Sequence, residues 1–478
     1  MARVVVIGAG AAGLAAARGI AAGGAPVTVL EAGARVGGRR AGATVAGARF
    51  DPTGALFSTA DRHVLGLLAE LGASERLRAL GPGGLGQSFR GRVRAVDASS
   101  RLGVARIPGV GWLDALRLVR LDRLLARYRP WLDPDAPERA ASLDDRSLRD
   151  FATLYFGRSV AERWIGPFAT AGTGSSAADA SRLLFLLRAG SHRAASLATL
   201  RGGVGRLLED AASGLDVRLG TRVGGVARAS DGGFEIRFDR GGAAGCERAE
   251  AVVFATPAPE ANRLAGDLLT TAESDFLGSV AYAPGLWLAL GLAGASFESP
   301  RRIQIPEAEP GPFEAVSLLP AETVHGLSSP AGVVVASARP AWAAAHRAAA
   351  DDVVAKELAA ALSPLVPGTG GEPIFREVTR REAAMPRFDA GQFRRLAGFR
   401  RVLDDRRREG RRLYFAGDYL AGPWLEAALG SGRRAAADLR ADLGSRGRGP
   451  RSPAQPVRSA NVTPSPPSSA EPAAKPST

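Results

Sequence analysis

The sequence has few of the residues that build metal centres and crosslinks. Its 478 residues include one cysteine, Cys246, and four histidines. A single thiol excludes an internal disulfide and a cysteine-ligated cluster, and so few imidazoles argue against a histidine-based metal site. Lysine is also scarce, because only Lys356 and Lys475 occur among the 62 basic residues, so the net charge of +14 comes from arginine. We therefore expect no bound metal.

The sequence also lacks the pattern of an export signal. It opens with MARVVVIGAG, which predicts a strand at once, so we expect no cleavable signal and a cytoplasmic location. The longest uncharged stretch, 276–297, would be long enough to span a membrane, but Pro284 and several glycines interrupt it. Its leucines recur at every second position, at Leu286, Leu288, Leu290 and Leu292. This period predicts a buried strand rather than a membrane span.

The remaining composition is that of a globular protein, with 46% hydrophobic and 23% charged residues. The length predicts two or three domains. The positive charge would suit an anionic lipid surface or a carboxylate-bearing substrate, but no recognition module for nucleic acid accompanies it, so we expect no nucleic-acid binding. Residues 446–478 are rich in proline and serine, which predicts a disordered tail.

The segment 109–130 combines leucines three and four positions apart with arginines between them. This spacing predicts an amphipathic basic helix. Such a helix could pack on its own domain with a solvated arginine face, or lie on a membrane surface and admit an apolar substrate. The sequence leaves both interpretations open, so peripheral membrane contact, on the inner face of the membrane, remains an expectation.

The first 22 residues carry a dinucleotide-binding pattern. An all-apolar run at 4–7 predicts a parallel strand that is buried on both faces. Gly8, Gly10 and Gly13 follow as G-x-G-x-x-G. The first glycine permits a tight turn, the second lets the backbone approach a pyrophosphate, and the third lets the next helix pack closely on the strand. That helix, at 14–22, directs its positive end at the phosphates.

A second strand and a second glycine loop extend this pattern. The strand at 26–30 ends in Glu31, where an acid can accept hydrogen bonds from a ribose 2′-hydroxyl and disfavour a 2′-phosphate. Gly37, Gly38 and Arg39 follow, and they would bring further N–H groups and a guanidinium to the same ligand. A nicotinamide enzyme has no need of this second loop.

These motifs resemble the flavoprotein superfamily of amine oxidases, protoporphyrinogen oxidases and phytoene desaturases. The R-x-G-G-R loop of that family matches residues 35–39, and its flavin-lining Phe/Tyr-Asp-x-Gly-Ala element resembles residues 50–55, with one extra residue. The segments 200–212 and 221–226 resemble a glycine-rich helix start and a strand whose valine, here Val223, meets adenine.

The closing motif at 412–436 resembles the terminal flavin-binding element of the family, a strand, A-G-D, a turn and a helix. The resemblance implies that Asp418 faces ribityl and phosphate, and that the helix start near 425–428 lies against the pyrimidine edge of the flavin. Gly33 and Ala427 depart from the family pattern, where arginine and glycine are common.

The resemblance implies an α/β fold: a Rossmann-type FAD-binding domain, discontinuous in sequence, with a second α+β substrate domain of mixed sheet and helices. We expect residues 1–75, 196–270 and 395–445 to form the first domain, and 76–195 and 271–394 to form the second. FAD should be held non-covalently, since Cys246 is predicted to lie in a turn. The expected cofactor-binding residues are Gly8, Gly10, Ala11, Ala12, Gly13, Glu31, Ala32, Arg35, Gly37, Gly38, Arg39, Gly54, Ala55, Val223, Gly417, Asp418, Trp424, Leu425, Glu426 and Ala428.

The chemistry implied is dehydrogenation of a largely apolar small molecule by hydride transfer to the flavin, with oxygen or a quinone as acceptor. The segment 381–391 resembles an element of the protoporphyrinogen-oxidase-like and desaturase-like members, and leucine-rich helices at 109–132 and 181–200 could wall a large pocket. The sequence does not identify a catalytic residue. Lys356 is expected on a solvated helix face and His63 at a helix start, while His192, His325 and His346 are isolated.

Three alternatives remain open. The first is an amine or amino-acid oxidase that lacks the usual lysine and produces hydrogen peroxide. The second is a nicotinamide-dependent dehydrogenase, which the closing motif disfavours. The third is a non-catalytic flavoprotein or membrane scaffold. Neither the substrate nor the oligomeric state follows from the sequence.

Overall fold

A computed structural model describes residues 3–81, 84–191, 196–295, 297, 301–324, 326 and 331–444. The tail predicted to be disordered, together with Lys475, His192 and His325, lies outside the described residues.

The strands are β1 Val4–Ile7, β2 Val27–Leu30, β3 Ala43–Val45, β4 Ala48–Phe50, β5 Phe57–Ser58, β6 Leu77–Ala79, β7 Leu85–Phe89, β8 Arg92–Ala95, β9 Leu197–Leu200, β10 Asp216–Arg218, β11 Thr221–Arg228, β12 Phe234–Arg240, β13 Ala243–Ala249, β14 Ala251–Phe254, β15 Tyr282–Ala293, β16 Arg301–Gln304, β17 Phe313–Leu319, β18 Ala331–Ala338, β19 Phe375–Pro386 and β20 Leu413–Phe415. The α-helices are α1 Ala11–Ala21, α2 Arg62–Glu70, α3 Arg101–Ala105, α4 Trp112–Leu116, α5 Val119–Tyr128, α6 Leu148–Phe156, α7 Arg158–Val160, α8 Gly166–Thr170, α9 Arg182–Ser191, α10 Gly203–Ala212, α11 Ala258–Ala265, α12 Thr271–Ser279, α13 Pro340–Ala345, α14 Asp351–Leu362, α15 Gln392–Arg408 and α16 Leu425–Gly444.

A five-stranded parallel sheet has the order β10-β2-β1-β14-β20. Strand β1 is fully buried, as expected for a strand that is covered on both faces. Helix α1 follows β1 and packs against α16 so closely that a Cβ on Gly432 would lie 2.1 Å from the carbonyl oxygen of Ala12. The fold therefore brings the first and last motifs of the sequence into direct contact.

A seven-stranded mixed sheet has the order β19-β15-β18-β17-β16-β7-β8, and its β16–β7 pair is parallel. The leucines at alternate positions of β15 pack with α14 in one apolar cluster, while Trp287 and Ala289 pack in another on the opposite face. The prediction of a buried strand at 276–297 is thus confirmed for 282–293. No helix among the described residues is both long enough and apolar enough to cross a bilayer.

The two sheets draw on different parts of the sequence. All strands of the parallel sheet lie within 1–75, 196–270 and 395–445, and all strands of the seven-stranded sheet lie within 76–195 and 271–394. Two of the expected boundaries separate residues that belong to one sheet or one helix. Strand β6 follows the boundary at 75/76 but pairs with β9, and the boundary at 394/395 lies inside α15.

Three local expectations were wrong. The basic segment 109–130 forms two short helices, α4 and α5, rather than one. The turn between them buries Leu118, which is 1% exposed, while Leu113 stays 58% exposed, so the leucines do not share one face. The predicted helix at 181–200 ends at Ser191, and residues 197–200 form β9. Cys246 lies in strand β13, where it is exposed, and not in a turn.

Candidate functional site

The opening glycines build a tight turn at the carboxyl end of β1. Gly8 has a φ of +105°, and a Cβ there would lie 2.9 Å from the carbonyl oxygen of Ala255. A Cβ on Gly13 would lie 1.9 Å from the carbonyl oxygen of Gly8, so Gly13 allows α1 to pack on the turn. Gly10 differs from both, because a Cβ there would meet no atom within 4 Å. The second glycine therefore borders open space.

Glu31 directly follows strand β2, and the backbone holds its carboxylate in place. Its Oε2 accepts a hydrogen bond of 2.7 Å from the N–H of Ala9, and its Oε1 accepts one of 2.7 Å from the N–H of Gly33. A Cβ on Gly33 would lie 3.0 Å from the same Oε1. The glycine at this position therefore leaves room for the carboxylate to turn back onto the chain.

The second glycine loop connects the two ends of the chain. The N–H of Gly37 donates to the carbonyl oxygen of Ala9 at 2.8 Å, which joins this loop to the first glycine turn. Arg39 donates through Nη2 to Asp418 Oδ1 at 2.8 Å and through Nη1 to the carbonyl oxygen of Ala384 at 2.9 Å. One guanidinium thus ties the loop to the closing motif and to strand β19.

The closing motif positions the start of α16. The N–H of Gly417 donates to Ser431 Oγ at 3.0 Å, which fixes the strand end against the helix. The first N–H groups of a helix have no partner within the helix and carry partial positive charge. Leu425 and Ala428 bring this positive end to the edge of a cavity.

Most of the predicted cofactor residues meet around a cavity of about 500 Å³, which we call the smaller cavity. Those that line it are Gly8, Gly10, Ala11, Ala12, Glu31, Ala32, Gly37, Gly38, Arg39, Val223, Gly417, Asp418, Trp424, Leu425 and Ala428. The other predicted residues lie elsewhere. Gly13 packs under the turn, Arg35 donates to the carbonyl oxygen of Gly42 at 2.7 Å, and Glu426 accepts from the first N–H groups of α2.

Gly54 and Ala55 line a second cavity of about 1000 Å³, which we call the larger cavity. The inner sides of α5 and α9 contribute apolar side chains to its wall, as the leucine pattern of both segments suggested, although neither segment is one continuous helix. The two cavities share a stretch of lining, which we call the junction. The junction residues are Arg40, Thr53, Trp287, Ala384, Met385, Trp424 and Leu425.

Sequence reasoning missed several lining residues. Thr256 follows β14, whose end lies beside that of β1, so its place after a parallel strand was a usable signal. Arg40 follows the predicted loop, and it donates to Thr53 Oγ1 at 3.2 Å. Burial lowers the pKa of the Arg40 guanidinium, although Asp51 opposes this effect. Trp287 gave no signal, because its contact with the site depends on how the two sheets are placed.

The larger cavity also contains polar groups that the sequence did not indicate. Glu314 and Arg302 both line it. Burial raises the pKa of the Glu314 carboxyl to about 7, while Arg302, the N–H of Gly172 and Arg339 act in the opposite direction. Glu314 is therefore divided between its neutral and ionised forms near neutral pH.

Neither cavity is lined by His63, His346 or Lys356. His63 is the second residue of α2, as expected, and its Nε2 contacts Asp135 at 2.9 Å. His346 follows α13 and stacks on Trp342 with ring centroids 3.7 Å apart. Lys356 is exposed on α14, as predicted for a solvated helix face. Among the described residues, no cluster of histidine, cysteine and acidic side chains could hold a metal ion.

The smaller cavity fits the expected dinucleotide on three structural grounds. The space beside Gly10 is open where a pyrophosphate must approach the backbone. Glu31 is held at the end of β2, where a ribose would lie, and the side-chain oxygen of Thr256 is buried without a hydrogen-bond partner in the described structure. Buried hydroxyls are nearly always hydrogen-bonded, so this oxygen indicates a polar ligand.

Solved structures share this fold over nearly the whole chain. A protein assigned as a protoporphyrinogen oxidase from Exiguobacterium sp. 255-15 matches with a TM-score of 0.69 and 18% identity, over 92% of this chain and 99% of that one. Putrescine oxidase bound to putrescine matches with a TM-score of 0.71 and 21% identity, over 92% and 99%. A fatty acid isomerase from P. acnes that produces CLA matches with a TM-score of 0.68 and 15% identity, over 91% and 97%. At these identities the likeness establishes the fold alone.

The sequence itself identifies the family. No curated protein sequence is significantly similar to this chain. The family model for flavin containing amine oxidoreductases, however, matches residues 11–440, which include both glycine loops from Ala11 onward and the closing motif. The chain therefore belongs to the flavin-containing amine oxidoreductase family and is a flavin-dependent oxidoreductase.

Proposed function

We propose that the chain binds FAD non-covalently and oxidises a largely apolar small molecule at a C–H bond. The observation that carries this proposal is the junction, because Trp287, Trp424 and Leu425 line both cavities. A dinucleotide in the smaller cavity would end at the junction. A substrate in the larger cavity would approach the same point from the other side.

The residues around the smaller cavity would hold the cofactor. Glu31 would accept hydrogen bonds from the adenosine ribose, and the N–H groups after Gly10 would face the pyrophosphate. Asp418 would face the ribityl chain while it also holds Arg39 in position. The start of α16 would place partial positive charge beside the pyrimidine edge, where it favours electron density on the ring.

When bound, FAD would accept a hydride at N5 from the substrate and pass the two electrons to oxygen or a quinone. The chain would contribute the larger cavity, whose apolar walls keep water away from the reaction. Phe168, Phe185 and Leu125 line the larger cavity. Apolar walls exclude water and favour substrates with little polar surface.

Oxidation of an amine or amino acid with release of peroxide is the alternative, and the family includes that chemistry by name. No lysine lines either cavity in the described part of the chain. This supports the apolar substrate, because the amine-oxidising relatives that the sequence resembles usually place a lysine near the flavin.

The test is anaerobic bleaching of the bound flavin against porphyrinogens, carotenoid precursors and amines. We expect an apolar compound to bleach the absorbance near 450 nm, because its oxidisable carbon reaches the junction. Bleaching by amines alone, with peroxide formed on aeration, would instead establish the alternative. A yellow protein that no compound bleaches would make the chain a non-catalytic flavoprotein.

We also propose that helices α3 to α5 dock on an anionic membrane surface at the inner face of the cytoplasmic membrane. Apolar side chains on these helices face solvent, with exposed fractions of 62% for Leu102, 69% for Trp112, 58% for Leu113, 61% for Leu116 and 43% for Val119. We call these five residues the apolar patch. Arg117, Arg120 and Arg123 are exposed beside it, and this charge complements anionic lipid.

The same helices connect this surface to the larger cavity. Val104, Leu118 and Leu121 line the cavity from α3, from the turn after α4 and from α5. A membrane below the apolar patch would therefore deliver an apolar substrate close to the cavity wall.

The apolar patch is testable with lipid vesicles. We expect Trp112→Glu combined with Leu116→Glu to weaken binding to phosphatidylglycerol vesicles by at least about tenfold, because burying each apolar side chain contributes about 1.5–3 kcal/mol. Co-sedimentation measures the bound fraction. Val353→Glu, on the distant helix α14, is the matched control and should bind like wild type. The proposal would be contradicted if the wild-type protein did not co-sediment with anionic vesicles.

A further inference from the structure

The larger cavity extends along one face of the seven-stranded sheet, away from the junction. Trp287, Ser337 and Gln304 line it, and they belong to one cross-strand row in which Trp287 pairs with Ser337, Ser337 with Ala315, and Ala315 with Gln304. Neighbouring strands lie about 4.8 Å apart, so Gln304 is about 14 Å from Trp287. The row therefore connects the junction to a distant part of the same cavity.

That distant part carries Arg302, Gln304 and Glu314, which we call the polar end. The pairing of β17 with β18 shifts its register between Phe313 and Ala315, which leaves Glu314 as the extra residue. A bulge of this kind redirects a side chain that regular alternation would turn away. Glu314 Oε1 accepts one hydrogen bond, of 3.1 Å, from the N–H of Gly172.

The groups at the polar end have unused hydrogen-bonding capacity. Arg302 donates through Nη1 to Ser317 Oγ at 2.8 Å, and among the described residues this is the one hydrogen-bond partner of its guanidinium. Gln304 is 5% exposed, and its Oε1 has no hydrogen-bond partner in the described structure. Buried polar groups are nearly always paired, so these atoms point to a polar ligand group.

The chemistry of the three side chains selects that group. A planar guanidinium with free N–H groups matches a carboxylate bidentately. The amide of Gln304 can present either its oxygen or its NH₂ group to the same ligand. Glu314 in its neutral form is a further donor. An ammonium group fits less well, because Arg302 would repel it.

We propose that the polar end binds a carboxylate of the substrate, so that the substrate is an amphipathic carboxylic acid. Its apolar body would extend along the row of cross-strand neighbours to the junction. This inference rests on the proposed function, because it assumes that oxidation takes place at the junction.

The proposal has a defined pH dependence. The charged groups that act on Glu314 are Arg302 on β16 and Arg339 after β18. Burial raises the pKa of Glu314 to about 7, so below that pH the acid is mostly neutral and the polar end is positively charged. Above it, the Glu314 carboxylate competes with the ligand for Arg302. Affinity for a carboxylate should therefore fall as the pH rises through about 7.

Calorimetry on the holoenzyme with decanoate, decan-1-ol and decylamine tests this proposal without turnover. We expect decanoate to bind at least about tenfold more tightly than decanol at pH 6, and the difference to narrow at pH 8. Arg302→Gln should weaken decanoate binding by at least about tenfold and leave decanol binding unchanged. Arg301→Gln is the matched control, because this neighbouring arginine is exposed. Glu314→Gln should bind decanoate with no pH dependence near 7.

Equal affinities for decanoate and decanol in the wild-type protein would overturn the proposal. The proposal would also be overturned if decylamine bound more tightly than decanoate and decanol and if Glu314→Gln abolished this binding, because the polar end would then be a cation site. If Arg302→Gln does not fold, the pH dependence of decanoate binding by Glu314→Gln tests the proposal instead: a dependence near pH 7 that persists in this variant would overturn it. If decanoate binds as expected but no compound of the panel bleaches the flavin, the proposed oxidation is refuted and the carboxylate site at the polar end remains. If neutral substrates bleach the flavin but decanoate does not bind, only the carboxylate site is refuted.

Discussion

Replacing Gly10 with alanine is expected to leave the fold intact and to weaken FAD binding by at least about tenfold, or about 1.4 kcal/mol. A Cβ at this position meets no protein atom within 4 Å, and its φ of −74° suits any residue. In the proposed complex, the methyl group would fill the space that the pyrophosphate occupies. Flavin fluorescence titration measures the affinity, and thermal unfolding without FAD measures the stability.

The matched control is Gly398→Ala in α15, another glycine with no atom within 4 Å of its Cβ position. It should bind FAD like wild type and be slightly more stable, because alanine favours helix by about 1 kcal/mol over glycine. A Gly10→Ala protein that keeps full FAD affinity would mean that the open space beside Gly10 is not the pyrophosphate site.

Replacing Arg411 with alanine is expected to lower the free energy of unfolding by about 3–5 kcal/mol. Arg411 contacts both carboxylate oxygens of Glu273, with Nη1 and Oε2 2.9 Å apart, and the Glu273 side chain is 0% exposed. The same carboxylate completes the capping box of Thr270 at the start of α12. Without the guanidinium, a buried charge would lose its main partner. Urea unfolding followed by circular dichroism measures the change.

Lowering the pH should reduce the difference in the free energy of unfolding between Arg411→Ala and the wild-type protein. Burial alone would raise the pKa of Glu273, but the hydrogen bonds from Arg411 and Thr270 lower it. A group whose pKa is lowered by folding stabilises the protein above its unfolded pKa, and this contribution disappears as the pH falls through the folded pKa.

Arg408→Ala is the control for Arg411→Ala. Arg408 pairs with Asp405, but their side chains are 75% and 63% exposed. An ion pair in solvent contributes little, so the change should stay within about 0.5 kcal/mol. Equal effects of the two substitutions would contradict the role given to the buried pair.

The sequence predicted those parts of the site that depend on local backbone chemistry. Gly8 forms a turn with positive φ and Gly10 borders open space, and both line the smaller cavity, as their spacing in the sequence suggested. Asp418 also lies in a short motif, the A-G-D sequence between a strand and a helix, that can be recognised from neighbouring residues. The sequence assigned Arg39 and Asp418 to one ligand but did not predict that they contact each other across the 379 positions that separate them in the chain.

The sequence could not predict features that arise from tertiary packing. Glu314 faces the larger cavity because of a bulge, and nothing in the segment FEAVSLL marks an extra residue. Likewise, no proline interrupts the leucine period of 109–129, so the break between α4 and α5 had no local signal. Its cause is the burial of Leu118 and Leu125 against the rest of the domain.

The pairing of β20 with β14 and the packing of α16 on α1 also determine when the protein can acquire its flavin. A ribosome releases the chain from its amino terminus, and domains usually fold as they emerge. Asp418 and Leu425 line the smaller cavity, where we propose that the flavin binds, so this cavity stays incomplete until residues 413–444 have been synthesised. During that interval the edge of β14 is unpaired, and such edges invite aggregation. We therefore expect the cofactor to bind only after residues 413–444 have emerged, and a chaperone that covers the edge of β14 until then would lower the risk of aggregation.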